Sequence, residues 1–484
     1  MFLGIDIGTS SVKAVLMDEA GRVVDTASAE LPISRPKPLW SEQKPSDWWT
    51  ATNMAVVGLN VKHRHAVKAI GLSGQMHGAT LLDKALNPLR PAILWNDGRS
   101  FAEASALQER EAEFVEKGGN LVMPGFTAPK LEWVRRHEPE IFAKVAKVLL
   151  PKDYVRLRMT GELASDMSDS AGTLWMDVAG RKWHKPLLEA CGLTEDHMPS
   201  LHEGVEETGI LRQEAAEAWG MDRVPVVAGG GDNAAGAVGA GIVDEGDALL
   251  SLGTSGVIFV AGSEFRSNPQ SAAHAFCHAL PGRWHLMSVM LSAASCIDWA
   301  CQATGTASAE DMINLAERDA SIACKEVFLP YLSGERTPHN NPYASGVLFG
   351  LDHDSSKGQI AQAVLEGVAF GMAAGFDALL ESGIDVHSIS VIGGGSQSAH
   401  WGRILAAVLK RPLVYRDGAA TGPALGAARL ARYSQLKGSF DEAFAAPRAI
   451  NVIEPHDADI GRLQEKRLKF TRLYEALVGE FTGD

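Results

Sequence analysis

The stretch that decides the fold is MFLGIDIGTSSVKAVLMD, at residues 1–18. An apolar run ends at Asp6, a turn of glycine and hydroxyl residues follows it, and a second β-rich run then begins. This alternation predicts three antiparallel strands, at Phe2–Ile7, Val12–Met17 and Arg22–Glu30. A Gly-Thr-Ser turn between strands is usually only a hairpin turn, so this stretch alone leaves a structural and an anion-binding role open.

The opening hairpin recurs in the second half of the chain. ALLSLGTSGVIFVAG (248–262) again reads as strand, Gly-Thr-Ser turn and strand, and HAFCHALPGRWHLMSVM (274–290) predicts a further strand pair. This self-similarity indicates two related halves that face each other, and strands alternate with helices elsewhere in the chain. We therefore expect an α/β protein with one domain at residues 1–243 and another at 244–484, hinged near Gly241–Gly246.

Composition limits the possible functions. A chain of 484 residues should form two or three domains, and its net charge of −14 disfavours nucleic acid as a partner. The five cysteines form no CxxC pair, which indicates free thiols in a reducing compartment. No signal peptide precedes the first strand, and the most apolar window contains Asp232 and Asn233. We expect a cytoplasmic protein that does not enter the membrane.

Two Gly-Thr-Ser turns that face each other across a cleft would form a phosphate clamp. Successive backbone N–H groups and hydroxyl donors make a tight turn suitable for anions. Asp6 at the base of the first turn suits a hydrated Mg²⁺, and Lys13 offers a cation unless it is only a solvated strand lysine. The predicted phosphate-binding residues of the turns are Gly8, Thr9, Ser10, Gly253, Thr254 and Ser255.

A third glycine cluster predicts nucleotide binding. The segment SISVIGGGSQSAHWGRILAAVL (388–409) reads as a strand, a glycine turn and a helix that begins near Ser398. Such a unit lets a ligand approach the backbone and the helix N-terminus closely. The candidate nucleotide-binding residues in this turn are Gly394, Gly395 and Ser396.

A fourth cluster places a carboxylate after three glycines. In PVVAGGGDNAAGAVGAG (225–241), a strand and a glycine turn precede Asp232 and a helix of small residues. An aspartate in this position is often a helix N-cap. Three glycines are more than a cap needs, so we expect a ligand beside this carboxylate, which would then accept a proton from a hydroxyl nucleophile.

Two polar loops would recognise a hydroxyl-rich substrate, which needs donors, acceptors and an apolar plate. They are GLSGQMHGATLL (71–82) and AILWNDGRSFAEA (92–104). The predicted substrate-binding residues are Gln75, Met76, His77, Trp95, Asp97, Arg99 and Asn233. The histidines in 274–290 lie on two different strands without a carboxylate partner, which disfavours a metal site there.

These motifs together resemble a known family. DIGTSSVKAV and SLGTSG are similar to the paired phosphate motifs of the sugar-kinase, actin and heat-shock chaperone superfamily. GFTAPKLEWVRRH (125–137) resembles the first signature of the FGGY carbohydrate kinases, and GVLFGLDHDSSKGQIAQAVLE (346–366) resembles the second. SGQMHG, LWNDGR, NLVMPGFTAPK, GGGDNAAGAVG and LPYLSGERTPHNN are most similar to bacterial members that phosphorylate D-xylulose. The resemblance runs from Met1 to about Arg429, and the last fifty or so residues match no motif.

The resemblance implies two ribonuclease H-like domains that face a central cleft. It implies ATP-dependent phosphorylation of D-xylulose to D-xylulose 5-phosphate, with Mg²⁺, ATP and the sugar as the small-molecule partners. By the same resemblance Asp232 is the catalytic base, and Asp6 is a second catalytic carboxylate that holds the metal through water. One departure is Lys13, which stands where glycerol kinases of the family have arginine and lacks its planar fork.

Alternatives remain at this point. The chain is less similar to the FGGY kinases that act on ribulose, gluconate, glycerol or another polyol. These substrates nevertheless stay open. A non-enzymatic ATP-binding module of the chaperone or actin type, or a proton-transfer enzyme without a nucleotide, is also compatible with parts of the pattern. A homodimer is one of the oligomeric states that the sequence leaves open.

Overall fold

The computed structural model describes residues 1–319, 324–393, 398–417, 422–436 and 438–482. The strands before residue 248 are β1 (Phe2–Ile7), β2 (Ser11–Met17), β3 (Val23–Glu30), β4 (Glu42–Gln43), β5 (Ala69–Gly74), β6 (Thr80–Leu82), β7 (Ala92–Ile93), β8 (Lys147–Leu149), β9 (Ala164–Asp166), β10 (Met176–Asp177), β11 (Lys182–Trp183), β12 (Ser200–His202), β13 (Glu207–Ile210), β14 (Pro225–Val227) and β15 (Gly230–Gly231). The helices are α1 (Pro45–Gly58), α2 (Val61–Arg64), α3 (Phe101–Arg110), α4 (Glu113–Gly118), α5 (Thr127–His137), α6 (Pro139–Phe142), α7 (Pro151–Thr160), α8 (Met167–Ala171), α9 (Lys185–Ala190), α10 (Gln213–Trp219) and α11 (Asp232–Ala240).

The remainder of the chain repeats this mixture of strands and helices. Its strands are β16 (Ala248–Leu252), β17 (Gly256–Gly262), β18 (His274–Cys277), β19 (Trp284–Met290), β20 (Val327–Leu329), β21 (Val347–Phe349), β22 (Ile389–Ile392), β23 (Leu413–Arg416) and β24 (Ala449–Ile453). Its helices are α12 (Ser295–Thr304), α13 (Ala309–Asp319), α14 (Lys357–Leu380), α15 (Ala399–Leu409), α16 (Gly422–Leu436), α17 (Phe440–Phe444) and α18 (Asp457–Leu477).

The first sheet is built around the opening strand. Its order is β13-β14-β5-β1-β2-β3, with β15 also paired to β5. β1 is antiparallel to β2 and parallel to β5, and β2 is antiparallel to β3, as the opening sequence predicts. β1 is buried on both faces, because Leu3, Ile5 and Ile7 pack in one hydrophobic cluster with Trp48 of α1, whereas Phe2 packs in another cluster with α16.

The second sheet repeats the arrangement of the first. Its order is β18-β19-β17-β16-β22-β23-β24. β16 is antiparallel to β17 and parallel to β22, and β17 is antiparallel to β19. These pairings repeat those of β1 with β2 and β5 and of β2 with β3. The self-similarity inferred from the two hairpins is therefore a shared strand order and direction in two separate sheets. The predicted α/β fold with two related halves is confirmed.

Two helices of small residues lie between the sheets. A Cβ atom on Gly4 of β1 would lie 1.8 Å from the Ala424 carbonyl oxygen of α16, and one on Gly426 of α16 would lie 1.7 Å from the Ala235 oxygen of α11. Only glycine permits these approaches. α16 follows the second sheet in sequence but packs on β1 and β5 of the first sheet. The boundary at residues 243–244 stays a prediction, since this helix belongs by packing to the earlier sheet.

The longest helix is a core element. α14 carries the glycines spaced four residues apart, and the prediction of a tightly packed structural helix is confirmed by the burial of almost its whole length. By length and composition α14 could cross a membrane, but 83% of its most apolar window is buried inside the protein. It is the one helix of that kind in the described ranges. At the end of the chain, α18 buries Leu463 and Phe470 against the same core.

Candidate active site

The two Gly-Thr-Ser turns occupy equivalent positions in the two sheets. The first turn, Gly8–Ser10, follows β1, and its Gly8 N–H donates to the Ser11 oxygen at 3.0 Å. The second turn, Gly253–Ser255, follows β16, and its Gly253 N–H donates to the Ser255 oxygen at 3.1 Å. Each turn thus closes on itself by a backbone hydrogen bond and leaves its hydroxyl groups at the end of the hairpin.

Gln75 supports the first turn from below. The Thr9 hydroxyl donates to Gln75 Oε1 at 3.2 Å, and Gln75 Nε2 donates to Gln43 Oε1 at 2.8 Å and to the Gly8 oxygen at 3.3 Å. Gln43 Nε2 in turn donates to the Thr9 oxygen at 2.7 Å. Gln75 is only 1% exposed and does not line the cavity described next. Its amide is used in holding the turn, and its contact with a substrate stays a prediction.

A cavity of about 260 Å³, here called the central cavity, lies between the two halves. Its walls from the first half include Met76, His77, Trp95, Phe126, Asp232 and Asn233. Its walls from the second half are Ser255, Val257, His274, Met287, Val289 and Arg336. Trp95 connects this cavity to the first turn, since its Nε1 donates to the Thr9 hydroxyl at 3.0 Å. Four of the seven predicted substrate residues, Met76, His77, Trp95 and Asn233, lie on this surface together with the predicted base Asp232.

A second cavity of about 240 Å³, here called the interface cavity, extends from the same place. It lies against α11, the second sheet and the start of α16, and Asp232, Asn233 and Val257 line both cavities. The Asp232 carboxylate therefore lies where the two spaces meet.

Asp232 is the first residue of α11, and Gly231 is the N-cap. The structure therefore does not support the alternative in which Asp232 caps this helix. Its Oδ1 accepts hydrogen bonds from the Asn233 backbone N–H at 2.7 Å and from Asn233 Nδ2 at 2.9 Å. Burial raises the pKa of Asp232 to about 7, and the negative charge of Asp6 adds to the rise. A carboxylate with such a pKa is well matched to proton transfer near neutral pH.

Asp6 lies opposite Lys13 in the pairing of β1 with β2. Its Oδ1 atom is buried and accepts no hydrogen bond within the described part of the chain. Burial raises the pKa of Asp6 to about 6, and the nearby Ser73 hydroxyl and the positive charge of Lys13 oppose the rise. Buried polar atoms are normally paired, so an orphaned carboxylate oxygen indicates a ligand that the polypeptide does not supply.

His77 presents a neutral imidazole to the central cavity. It adopts a left-handed backbone conformation with φ of 68°, and its carbonyl oxygen accepts from Lys130 Nζ at 2.9 Å. Its Nδ1 lies 2.7 Å from the Gly172 carbonyl oxygen, which can only accept, so Nδ1 carries the proton and Nε2 is an acceptor. Burial, reinforced by the Lys130 charge, lowers the pKa of His77 to about 3.

Asp97 and Arg99 do not line the central cavity, contrary to the sequence prediction. Arg99 Nε and Nη2 donate to the two Asp97 oxygens at 2.8 and 2.6 Å, and Arg99 Nη1 donates to Glu42 Oε1 at 2.7 Å. The guanidinium lies 3.6 Å above the Trp40 ring. Because the Asp97 carboxylate and the Arg99 guanidinium neutralise each other, this buried pair stabilises the loop that carries Trp95. Neither side chain lines the central cavity.

Family models match nearly the whole chain. The N-terminal domain of the FGGY family of carbohydrate kinases matches residues 1–239, and the C-terminal domain of that family matches residues 248–434. This protein belongs to the FGGY family of carbohydrate kinases.

Relatives of this FGGY kinase are similar along their full length. It is 54% identical to the xylulose kinase of Escherichia coli K12 over 99% of each chain. It is 36% identical to the xylulose kinase of Bacillus subtilis 168, over 89% of this chain and 87% of that one. Among solved structures, the xylulose kinase of Rhodospirillum rubrum superposes with a TM-score of 0.92 at 29% identity and covers 99% of each chain.

Several predicted residues of this FGGY kinase lie beside the cavities without lining either of them. They are Gly8, Thr9, Ser10, Lys13, Gly253 and Thr254, whereas Ser255 does line the central cavity. The predicted nucleotide residues Gly394, Gly395 and Ser396 lie outside the described residues. The helix predicted to follow them is confirmed, since α15 begins at Ala399 with Ser398 as its N-cap.

Sequence reasoning missed the walls that come from the second half. His274 and Arg336 line the central cavity with Met287, although each is far in sequence from the substrate loops. For Arg336 the available signal is the motif LPYLSGERTPHNN, which contributes to the family resemblance but does not by itself assign a ligand to this arginine. Phe126 was missed in the same way inside the first FGGY signature, and its ring lies 4.8 Å from that of His77.

Proposed function

We propose that this FGGY kinase transfers the γ-phosphoryl group of ATP to the terminal hydroxyl of D-xylulose, forming D-xylulose 5-phosphate and ADP. The observation that carries the reaction is the Asp232 carboxylate, which lies on the wall of the central cavity and has a raised pKa. The 54% identity to a xylulose kinase supports D-xylulose as the acceptor.

Asp232 acts as the general base in this proposal. Phosphoryl transfer needs an acceptor oxygen in line with the γ-phosphate and little covalent help from the protein. Asp232 accepts the proton of the terminal hydroxyl as the O–P bond forms, and ADP leaves from the opposite side. Asn233 holds Oδ1 by two hydrogen bonds, so Oδ2 is the oxygen that takes the proton. His77 Nε2 accepts from another sugar hydroxyl, and Trp95 supplies the apolar plate.

The two turns would hold the phosphates of ATP. The backbone N–H groups that follow the first glycine of each turn and the Ser10, Thr254 and Ser255 hydroxyls are donors, and Lys13 adds positive charge from β2. The Thr9 hydroxyl already donates to Gln75, so Thr9 would contribute its backbone N–H. Gly8 and Gly253 use their N–H groups to close the turns, and their lack of a side chain would let the phosphates approach the backbone. Gly394, Gly395 and Ser396 remain predicted contacts on the nucleotide side. Closure of the cleft around both substrates would bring the turns onto the phosphates.

Mg²⁺ fits the carboxylate at the base of the first turn. Within the described ranges, no three or more His, Cys, Asp and Glu side chains are grouped to hold a metal ion. Mg²⁺ keeps several waters and needs only one or two carboxylates with phosphate oxygens, and the unpaired Asp6 Oδ1 meets that need. When bound, the ion would neutralise phosphate charge. Asp6 would hold it through water, and is therefore not free to act as the base.

A substrate panel tests the function. ADP release should be measured with D-xylulose, D-ribulose, gluconate and glycerol, each at several concentrations. D-xylulose is expected to give the highest kcat/KM, with the phosphate on O5 of the product. A higher kcat/KM for another acceptor would replace the substrate. ATP hydrolysis that is independent of sugar and stimulated by unfolded polypeptide would favour the chaperone-like alternative instead. A homodimer and a cytoplasmic location stay predictions.

A further inference from the structure

We propose that Arg336 binds the C2 carbonyl oxygen of the open-chain sugar and thereby selects a ketose over the corresponding alditol. The inference rests on the proposed function, because it concerns the end of the sugar that is not phosphorylated. It adds a residue from the second half of the chain that the sequence did not single out.

The chemistry of a 2-ketopentose requires a group that recognises a carbonyl. Its five-membered ring forms when O5 adds to C2, and O5 is also the oxygen that must attack the γ-phosphate. Ring closure and phosphorylation therefore exclude each other, so the reactive form is the open chain with a free C2 carbonyl. A carbonyl oxygen can only accept hydrogen bonds, and the site must supply a donor to it.

Most side-chain donors on the central cavity already have partners. Trp95 Nε1 donates to Thr9, and Asn233 Nδ2 donates to Asp232. His77 Nδ1 donates to the Gly172 oxygen, which leaves only an acceptor at Nε2. Asp232 and His77 are therefore suited to sugar hydroxyls. The side-chain donors that remain on the described walls are Arg336, the second N–H of Asn233 Nδ2 and the Ser255 hydroxyl. Asn233 adjoins the base at the end of the sugar that is phosphorylated, and Ser255 belongs to the second turn, so Arg336 is the donor left for the other end.

Arg336 is a partly buried cation that forms no close ion pair within the described ranges. Its guanidinium carries five N–H donors and no acceptor, and Nη1 lies 3.3 Å from His274 Nε2. No carboxylate oxygen lies within 4 Å of this guanidinium in the described ranges, and the charge of Glu335 acts on it only from a greater distance. The neighbouring Glu335 instead uses Oε1 to accept from the backbone N–H groups of Leu291 and Arg336. Arg336 is partly buried, and a charge withdrawn from water without an ion pair costs free energy unless an acceptor is bound to it.

His274 and Asn120 hold Arg336 in a defined orientation. Asn120 Nδ2 donates to the Ala275 oxygen at 2.9 Å, so Asn120 Oδ1 is an acceptor, and it lies 3.2 Å from His274 Nδ1. His274 Nδ1 therefore carries the proton, and Nε2 presents a lone pair to Arg336. Burial holds the pKa of His274 well below its usual range, so the imidazole stays neutral. The arginine is thus anchored through Nη1, and its other N–H groups are available to the sugar.

Arg336→Met tests this assignment with two sugars that differ only at C2. D-arabinitol has a hydroxyl where D-xylulose has the carbonyl, and both keep the terminal hydroxyl. A hydrogen bond to a charged group contributes enough that kcat/KM for D-xylulose should fall by about 10- to 100-fold. Binding of D-arabinitol, measured as its inhibition constant against D-xylulose, should change by less than about threefold, since a hydroxyl at C2 can also be solvated. Arg336→Lys keeps the charge, and its kcat/KM for D-xylulose should lie between those of the wild type and Arg336→Met.

Arg411→Met is the matched control, because Arg411 donates to the Val386 carbonyl oxygen and lines neither cavity. It should leave kcat/KM for D-xylulose and the inhibition constant of D-arabinitol unchanged. The inference is overturned if Arg336→Met weakens both sugars equally, or if it weakens neither. If the wild-type enzyme fails on D-xylulose but acts on another ketose, the proposed substrate is wrong. The inference is then tested with that ketose and its alditol, so the two failures are distinguishable.

Discussion

At the scale of single residues, two carboxylates with different surroundings take different roles. Asp6 has a carboxylate oxygen without a hydrogen-bond partner in the described ranges, and it lies opposite Lys13 in the pairing of β1 with β2. The Asp232 carboxylate instead accepts its hydrogen bonds from Asn233. In acid–base sites, two titratable groups of the same kind often take different roles because their surroundings differ. Asp6 is therefore assigned to the metal and Asp232 to the proton.

The raised pKa of Asp232 predicts a pH dependence. The base must be ionised, so kcat/KM for the sugar should fall on the acid side of a midpoint near pH 7 and level off above it. The ordinary pKa of an aspartate is about 4, so an unperturbed base would give no such limb in this range. Because the charge of Asp6 contributes to the rise, Asp6→Asn should move the midpoint to lower pH in its residual activity.

The measurement is a pH profile of kcat/KM at saturating ATP and Mg²⁺. Asp222→Asn, at an exposed loop position, is the control and should leave the midpoint unchanged. A profile that stays flat from pH 5 to 9 would contradict the assignment of a buried aspartate as the base.

The central cavity also shows what residue patterns can and cannot predict. Asp232, Asn233, Met76, His77 and Trp95 were found because glycines and polar residues cluster at strand ends. Gln75, Asp97 and Arg99 share those loops but point to protein partners, and the sequence does not show which way a side chain in a loop is turned. His274 and Arg336 received no substrate role from the sequence, because only the fold brings them to the substrate loops.

At the scale of elements, a buried ionic cluster lies beneath the loop that carries Asp232. Lys152 Nζ lies 2.7 Å from oxygens of Asp153 and Asp166 and 3.2 Å from Asp169, and all four side chains are buried. Ser168 accepts from the Gly231 backbone N–H at 3.0 Å and donates to Asp166. The cluster on α7 and α8 is therefore connected to the residue before the base.

Lys152→Met should destabilise the protein strongly. Removing one partner of a buried ionic cluster leaves uncompensated charge, which typically costs about 3–5 kcal/mol. The free energy of unfolding in denaturant measures the loss. Lys62→Met, at an exposed lysine of α2, is the matched control and should change it by less than about 0.5 kcal/mol. A loss no larger than the control would mean that the cluster contributes nothing to the stability of this region.

Local pattern predicted the elements better than their packing. The opening hairpin, its repeat at β16 and β17, and the strand–turn–helix unit at α15 follow from alternation and turn residues, which act over a few positions. The placement of α16 on the first sheet was not predicted, because it depends on contacts of Gly426 and Ala424 with residues more than 180 positions away. Such contacts are set by tertiary packing.

At the scale of the whole molecule, the two halves should close on their ligands. The central cavity takes one wall from each half, and each half contributes one Gly-Thr-Ser turn. Closure would exclude water from the γ-phosphate and bring both turns to it. Small-angle scattering should show a smaller radius of gyration with sugar and a non-hydrolysable ATP analogue together than with either alone. An unchanged radius with both ligands saturating would argue against the phosphate clamp.

The most direct test of the mechanism is the turnover of Asp232→Asn with D-xylulose and ATP. The amide keeps the shape of the side chain but removes the basic oxygen, so kcat should fall by about 10²–10⁴. The fold should be retained, and its melting temperature at pH 8 should not be lower than that of the wild type. Above its raised pKa the ionised Asp232 is a buried charge near Asp6 and destabilises the native state. Near-normal ADP release by a folded Asp232→Asn enzyme would contradict the account, because the reaction would then proceed without the base on which it depends.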